Sequence, residues 1–320
     1  MDDASPGQPA TVLTLTVNPA LDISATTPEV IADHKLRCTG SRLDPGGGGV
    51  NVARVVRRLG GRTVAVYTAG GPIGEAYQRL IEAERVPGVV VPIRGSTRAS
   101  FTIDEGEDAA QYRFVLEGPE LSEDEWRTCL DYVAQLAAPG GLVVASGSLA
   151  PGVPTDFYAR VARVAREAGA RCVVDSTGPA LAEALAEGVF LVAPSRRELA
   201  AHAGGTLGDE RAVAEAAMTL VASGAAQYVA VTLGSGGAIL AAASGTRHLA
   251  APAVQAVGSV GAGDSFVAGL VLRLAEGRSV EDGLIAGVAA GTAAVLSPGT
   301  ELCSPAEFAR LEAELRHLGA

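Results

Sequence analysis

Short, mostly apolar runs punctuate the chain: Val12 to Val17, Val64 to Tyr67, Leu142 to Ala145, Cys172 to Asp175, Phe190 to Val192 and Tyr228 to Leu233. Runs this short and rich in β-branched side chains predict buried strands. Between them, apolar positions recur at helical spacing, with Arg and Glu on the opposite side. This predicts helices over Asn51–Leu59, Gly74–Arg85, Glu123–Leu136, Thr155–Glu167, Arg211–Ser223, Asp264–Ala275, Val280–Leu296 and Pro305–Leu315. Strand alternating with helix implies a mainly parallel sheet covered on both sides. One region departs from the rhythm. Val89–Ile93, Ser100–Ile103 and Gln111–Leu116 follow one another without intervening helices, and the turn Asp104-Glu105-Gly106-Glu107-Asp108 joins the last two. Strands in succession predict a small antiparallel flap. No repeat, low-complexity linker or boundary divides residues 1–320, which read as one domain.

Composition narrows the function classes. With 48% hydrophobic side chains in 320 residues the chain can bury a large core, which excludes disorder. Its 36 acidic and 25 basic residues give a net charge of −11, so nonspecific binding to nucleic acid or an anionic membrane is not expected. Lys35 is the single lysine, and any chemistry that needs a motif lysine must use it. Cys38, Cys129, Cys172 and Cys303 form no C-x-x-C pair, and His34, His202, His248 and His317 have no metal-ligand spacing. The start, Met1-Asp2-Asp3, is acidic where an export signal is basic, so a reducing cytoplasm is expected. The uncharged stretch Gly283 to Thr300, broken by Pro298, reads as a core helix rather than a membrane span.

The 40 glycines concentrate attention on loops, where backbone must approach something closely. Pro45-Gly46-Gly47-Gly48-Gly49-Val50-Asn51 is a glycine run opening a helix. It offers backbone amides to a polar ligand, or else forms a flexible surface loop. Without a following lysine it is not a Walker A loop. Val260-Gly261-Ala262-Gly263-Asp264 begins another helix. Three successive amides, Ala262, Gly263 and Asp264, would form an anion hole beside a carboxylate, a pairing that suits phosphoryl transfer; the plain alternative is an Asp N-cap. Reading Gly263-Asp264-Ser265 as a GDS-type hydrolase turn fails on position, since Ser265 comes late and no Asp-x-x-His follows. Thr232-Leu233-Gly234-Ser235-Gly236-Gly237 serves equally as a phosphate loop or a hairpin turn. After Ala193-Pro194-Ser195, Glu198 falls in the first turn of a helix, where a capping carboxylate is the default. Lys35 and Arg37, on alternating positions of an expected strand, would point to one face and with Arg98 could grip a phosphate, although scattered cations are usually solvated.

Together these motifs, in this order from about Leu13 to Cys303, resemble the ribokinase-like (PfkB) carbohydrate kinase family. Asn18-Pro19-Ala20-Leu21-Asp22, Lys35-Leu36-Arg37-Cys38, Gln111-Tyr112-Arg113-Phe114, Ser146-Gly147-Ser148-Leu149, Val174-Asp175-Ser176 and Gly299-Thr300 are similar to the branch that phosphorylates fructose 6-phosphate. Relatives acting on fructose 1-phosphate or tagatose 6-phosphate usually carry Gly-Gly-Lys-Gly, with lysine where Gly48 stands. The resemblance implies a three-layer α/β/α sandwich with a β lid formed by about 89–116 plus parts of 18–45. It implies Asp264 as general base and the amides of Gly261, Ala262 and Gly263 as anion hole. Asp22, Gly46, Gly47, Asn51 and Ser148 would hold the sugar, with Lys35, Arg37 and Arg98 on its phosphate. Ser195, Thr232, Gly234, Gly237 and Gly263 would line the ATP site, and Glu198 would place Mg²⁺ through water. A monovalent cation such as K⁺ would lie near the carbonyls of Val260 and Gly299, and the lid implies a homodimer. One departure stands out: the branch usually has Lys-Pro-Asn where this chain has Ala193-Pro194-Ser195, leaving Arg196 or Arg197 as substitute cations. A kinase for another ketose phosphate, or a weakly catalytic sugar-phosphate binder, are the alternatives.

Overall fold

The computed structural model describes residues 9–106, 110–297 and 301–318. The chain opens with β1 (Val12–Thr16), β2 (Ala20–Thr27), β3 (Thr39–Gly46), α1 (Gly48–Arg58), β4 (Thr63–Ala69), α2 (Gly71–Ala83) and β5 (Gly88–Pro92). Next come β6 (Arg98–Glu105), β7 (Gln111–Val115), α3 (Glu123–Leu136), β8 (Leu142–Ser146), α4 (Phe157–Glu167), β9 (Arg171–Asp175), α5 (Gly178–Glu187) and β10 (Val189–Val192). The remainder holds α6 (Arg196–His202), α7 (Glu210–Ala222), β11 (Ala226–Thr232), β12 (Ala238–Ala242), β13 (Gly245–Leu249), α8 (Ala262–Ala275), α9 (Val280–Val295) and α10 (Pro305–Leu318).

Among the described residues nine strands form one sheet in the order β13-β12-β11-β10-β9-β8-β1-β4-β5. The seven from β11 to β5 are parallel, while β12 and β13 add an antiparallel edge. The central strands are buried throughout because both faces are covered, Thr14 and Thr16 of β1 included. One apolar cluster lies between the sheet and α1, α8 and α9, with α10 outside them; the other fills the space under α3, α4, α5 and α7. Both α8 and α9 are buried nearly all round, as their uncharged stretches 266–272 and 283–295 require. Side chains close the exposed helix starts. Asp209 accepts from the Ala212 amide at 2.8 Å and Ser279 from that of Asp282 at 3.1 Å, contacts worth about 1 kcal/mol each. No described helix is long and apolar enough to cross a membrane.

The strand order fixes where a ligand can enter. From β1 the chain builds outward to β4 and β5, then returns to build the other half from β8, so the carboxyl ends of β1 and β8 flank a crevice at the reversal. A second sheet, β3-β2-β6-β7, hangs over it. Strand β2 leaves the end of β1 directly, and β3 runs straight into α1, so this lid is hinged at the crevice.

Two expectations need correction. The segment near 89–93 is not part of the lid: β5 pairs with β4 in parallel at the edge of the main sheet. Nor is the lid wholly antiparallel, since β2 and β6 run parallel, with Ala20 opposite Arg98. Glu107 and Asp108 of the expected turn lie outside the described residues, as do Pro298, Gly299 and Thr300.

Candidate active site

Four glycines let the lid strand turn into α1 at close quarters. Gly47 holds φ at 116°, a region that side chains avoid. A Cβ on Gly46 would overlap the Asp22 carboxylate, and one on Gly48 would overlap the Ser146 hydroxyl. The position at which relatives carry lysine is therefore filled here by Ser146. The glycine run brings Asn51 to the crevice, where its Nδ2 donates to Asp264 Oδ2 at 2.8 Å across 213 residues of sequence.

Asp264 stands in the first turn of α8, whose preceding residue, Gly261, is left-handed at φ 73°. The amides of Ala262, Gly263 and Asp264 belong to that first turn, which has no intrahelical carbonyl to receive them. Gly263 is exposed, with open space where a side chain would stand. Burial raises the Asp264 carboxyl to about 6, against the hydrogen bond from Asn51 and the charges of Arg54 and Arg113. Asp22, on the lid side, is likewise raised to about 6 by burial, with Arg54 and Arg98 opposing. Both carboxylates are thus ionised at neutral pH yet basic enough to accept a proton. Ser265 is fully buried, which removes it as a nucleophile.

At the carboxyl ends of β1 and β8, Asn18 Nδ2 donates to Ser148 Oγ at 3.1 Å and to the Leu149 carbonyl at 3.2 Å. Arg98 donates from Nη2 to the Asn18 carbonyl and from Nη1 to that of Leu116, both at 3.0 Å. Arg98 Nε and Asn18 Oδ1 are buried without a protein partner among the described residues. The fold thus joins Arg98 to Ser148 through Asn18, whose part the sequence did not disclose. Lys35 and Arg37 are not in that cluster. They are exposed and precede β3 rather than lying on a strand. The nearest register pair, Thr26 with Thr39, is six residues of β2 from Ala20, or about 20 Å along the lid.

On the other side of the crevice, Ser195 and Thr232 form a bridge between the ends of β10 and β11, and the Thr232 amide donates to the Pro194 carbonyl at 3.0 Å. Gly234 to Gly236 form a single 3₁₀ turn, and a Cβ on Gly237 would strike the Leu249 carbonyl. Glu198 is a capping carboxylate: its Oε2 accepts from the Ser195 amide at 2.7 Å, and its own amide donates to Ser195 Oγ at 3.3 Å. Ala193 is only 5% exposed and packs in the apolar cluster beneath α8 and α9, so its side chain is not displayed at the sheet edge. Arg196 turns to the Leu207 carbonyl at 2.8 Å, while Arg197 is exposed.

Asp175, like Asn18, stood in the sequence only as part of a motif. Asp175, ending β9, accepts from Ser146 Oγ at 2.9 Å and is raised to about 7 by burial, then by the charges of Asp264 and Glu198. A carboxylate at the end of a buried parallel strand was the available signal. No group of three or more His, Cys, Asp or Glu is spaced to hold a metal by itself among the described residues. The repulsion that Asp175 feels from Asp264 and from Glu198 is nonetheless what a cation accompanying a polyphosphate would relieve.

A carboxylate near neutrality beside free helix amides, in a crevice under a hinged lid with an arginine and hydroxyl at its far end, defines a phosphoryl-transferring enzyme acting on a small anion. Comparison narrows the class. The model of the pfkB family carbohydrate kinases matches residues 16–307, and the chain belongs to that family, with its ribokinase-like three-layer fold. It is 43% identical over 311 residues to the ATP-dependent 6-phosphofructokinase isozyme 2 of Mycobacterium tuberculosis, covering 96% of this chain and 91% of the relative. The crystal structure of phosphofructokinase-2 from Escherichia coli in complex with potassium superposes with a TM-score of 0.92 at 40% identity, covering 96% and 99% of the two chains. The same enzyme in complex with fructose 6-phosphate gives 0.90 at 39%, again covering 96% and 99%.

Proposed function

We propose that this protein transfers the γ-phosphoryl group of ATP to the C1 hydroxyl of fructose 6-phosphate. The observation that carries the reading is the Asn51–Asp264 pair at the head of α8, facing the crevice that Arg98, Asn18 and Ser148 close at the other end. In this reading the sugar lies under the lid against Asp22, Gly46, Gly47 and Asn51, with its phosphate on Arg98 and Ser148. Asp264 takes the proton of the C1 hydroxyl as that oxygen bonds to phosphorus and the bond to ADP breaks. The amides of Gly261, Ala262 and Gly263 hold the charge of the group in transit. Ser195, Thr232, Gly234 and Gly237 line the nucleotide side. Asp175 and Glu198 would hold, through water, a Mg²⁺ ion whose charge would offset that of the ATP phosphates. A potassium ion, present in the Escherichia coli relative's structure, belongs in this reading beside the Val260 carbonyl.

A second copy of the chain is the partner we assign to the lid. Leu43 and Phe114, in one register row across the lid through Ile23 and Phe101, leave apolar side chains exposed on one of its faces. Lys35 and Arg37 precede β3 beyond the Thr26–Thr39 pair, which is about 20 Å along the lid from Ala20, and in this reading they serve a sugar phosphate across such a boundary. A reducing, cytoplasmic setting accords with four cysteines that are all free. The deciding experiment is a coupled assay with fructose 6-phosphate, fructose 1-phosphate, tagatose 6-phosphate and unphosphorylated fructose. The highest kcat/KM is expected with fructose 6-phosphate. Comparable turnover of free fructose would overturn the assignment of the phosphate end.

A further inference from the structure

Arg54, on the second turn of α1, has a side chain only 1% exposed, and all five of its N–H donors are engaged. Nε donates to Glu84 Oε1 at 2.8 Å and Nη2 to the same oxygen at 2.5 Å, with Asp44 Oδ1 at 3.4 Å from Nη2. Nη1 donates to the Pro45 carbonyl at 2.8 Å and to Asn51 Oδ1 at 3.0 Å. One guanidinium therefore holds the last residues of the lid strand and the oxygen end of the amide that serves Asp264. The chemistry allows that amide only one orientation. Arginine has no acceptor, and an ionised carboxylate has no donor. Flipping Asn51 would set N–H against N–H on one side and oxygen against carboxylate on the other.

We propose that Arg54 is a positioning residue: by gripping Asn51 Oδ1 it fixes the amide with its NH₂ on Asp264, and it ties this pair to the base of the lid through Pro45 and Asp44. The inference rests on Asp264 being the base. Charged groups acting on Asp264 come from three sides: Arg54 on α1, Arg113 on β7 of the lid, and Asp175 at the end of β9 with Glu198 behind it. Any change made through Asn51 must be read against them. Arg54→Lys keeps the positive charge but cannot span Glu84, Pro45 and Asn51 at once.

The test is the acid limb of kcat/KM for fructose 6-phosphate, read as differences between variants because the sugar phosphate itself titrates near pH 6. Arg54→Lys should raise the limb by about one pH unit, the scale of a weakened hydrogen bond to an ionised group. Asn51→Ala should raise it at least as far, and adding Arg54→Lys to Asn51→Ala should move it no further. Glu84→Gln, which loosens the same arginine on its outer side, should lower the melting temperature without moving the limb. An unmoved limb in Arg54→Lys, additive shifts in the double variant, or an equal shift in Glu84→Gln would overturn the proposal. Asp264→Asn separates the two levels. If it keeps turnover, the reading of the base falls; if it is inactive while Arg54→Lys leaves the limb in place, only the role of Arg54 falls. Should Arg54→Lys fail to fold, stability alone decides. In Asn51→Asp with Asp264→Asn, donor and acceptor are exchanged while Arg54 keeps an oxygen to grip, so this pair should melt higher than Asn51→Ala with Asp264→Asn. Equal or lower melting would show that Arg54 holds nothing there.

Discussion

Replacing Asp264 by asparagine should separate activity from stability in opposite directions. The side chain keeps its size and can still accept from Asn51, so the crevice retains its shape while losing its base. Positioned general bases contribute about 10²- to 10⁴-fold, and kcat should fall by at least about 10²-fold with little change in substrate KM. Stability should move the other way. The carboxyl titrates at about 6 in the folded chain against a reference of 3.8, so the folded state binds the extra proton between those values. Stability therefore falls as pH rises from about 4 through about 6, and by pH 7 the penalty is complete. The difference corresponds to a ceiling of about 3 kcal/mol, lowered by solvent at the mouth of the site. Asp264→Asn should thus melt a few degrees higher than the parent at pH 7, and the gain should vanish below about pH 4. Single-turnover rates with saturating ATP, paired with thermal melts across pH, make the measurement. Turnover near that of the parent would refute the role of the base, and a melting temperature lowered at pH 7 would refute the account of its burial.

Arg98→Ala should raise the KM for fructose 6-phosphate by roughly 10- to 100-fold, the cost of one charge-assisted contact, with kcat within a few-fold. A rise confined to the KM for ATP would reverse the two ends of the crevice. Ala193→Lys restores the lysine of the branch to a packed position, and should cost about 1–3 kcal/mol in a thermal or denaturant melt by overpacking. A tenfold tighter ATP site with unchanged melting would show that the side chain has open space before it.

The parallel core was legible because its strands are short and rich in β-branched side chains and are buried along their whole length, though in β1 two of the buried residues are threonines. Helix α8 was legible from its uncharged stretch, and its head by the glycines before Asp264. The lid was harder. Val89–Ile93 and Ser100–Ile103 both read as short strands following one another, and the pairing partner, β4 for one and β2 for the other, sends them to different sheets. Segment 35–38 alternates as a strand would, yet it lies in the connection before β3, where nothing pairs with it among the described residues. Long-range polar contacts left no local trace: Asn51 meets Asp264, Asn18 meets Ser148 and Ser146 meets Asp175 only after the chain has folded.

The departure at Ala193-Pro194-Ser195 takes on a different meaning in the fold. As a lost cation it would weaken a phosphate site; Arg196 is held by the Leu207 carbonyl, which leaves the exposed Arg197 as the neighbouring candidate to compensate. As packing, however, the alanine completes the apolar cluster beneath α8, the helix whose first turn carries Asp264. The serine supplies the oxygen that caps α6 and orients Glu198. What the sequence presents as two missing ligands is therefore also a firmer seat for the base and for the carboxylate opposite it. Arg197 is an exposed cation on that side, while Asp175 is repelled by Asp264 and by Glu198. Without the lysine of the branch, neutralising the ATP phosphates falls more heavily on bound cations and helix amides than on a side chain, and Mg²⁺ dependence should be steep in consequence.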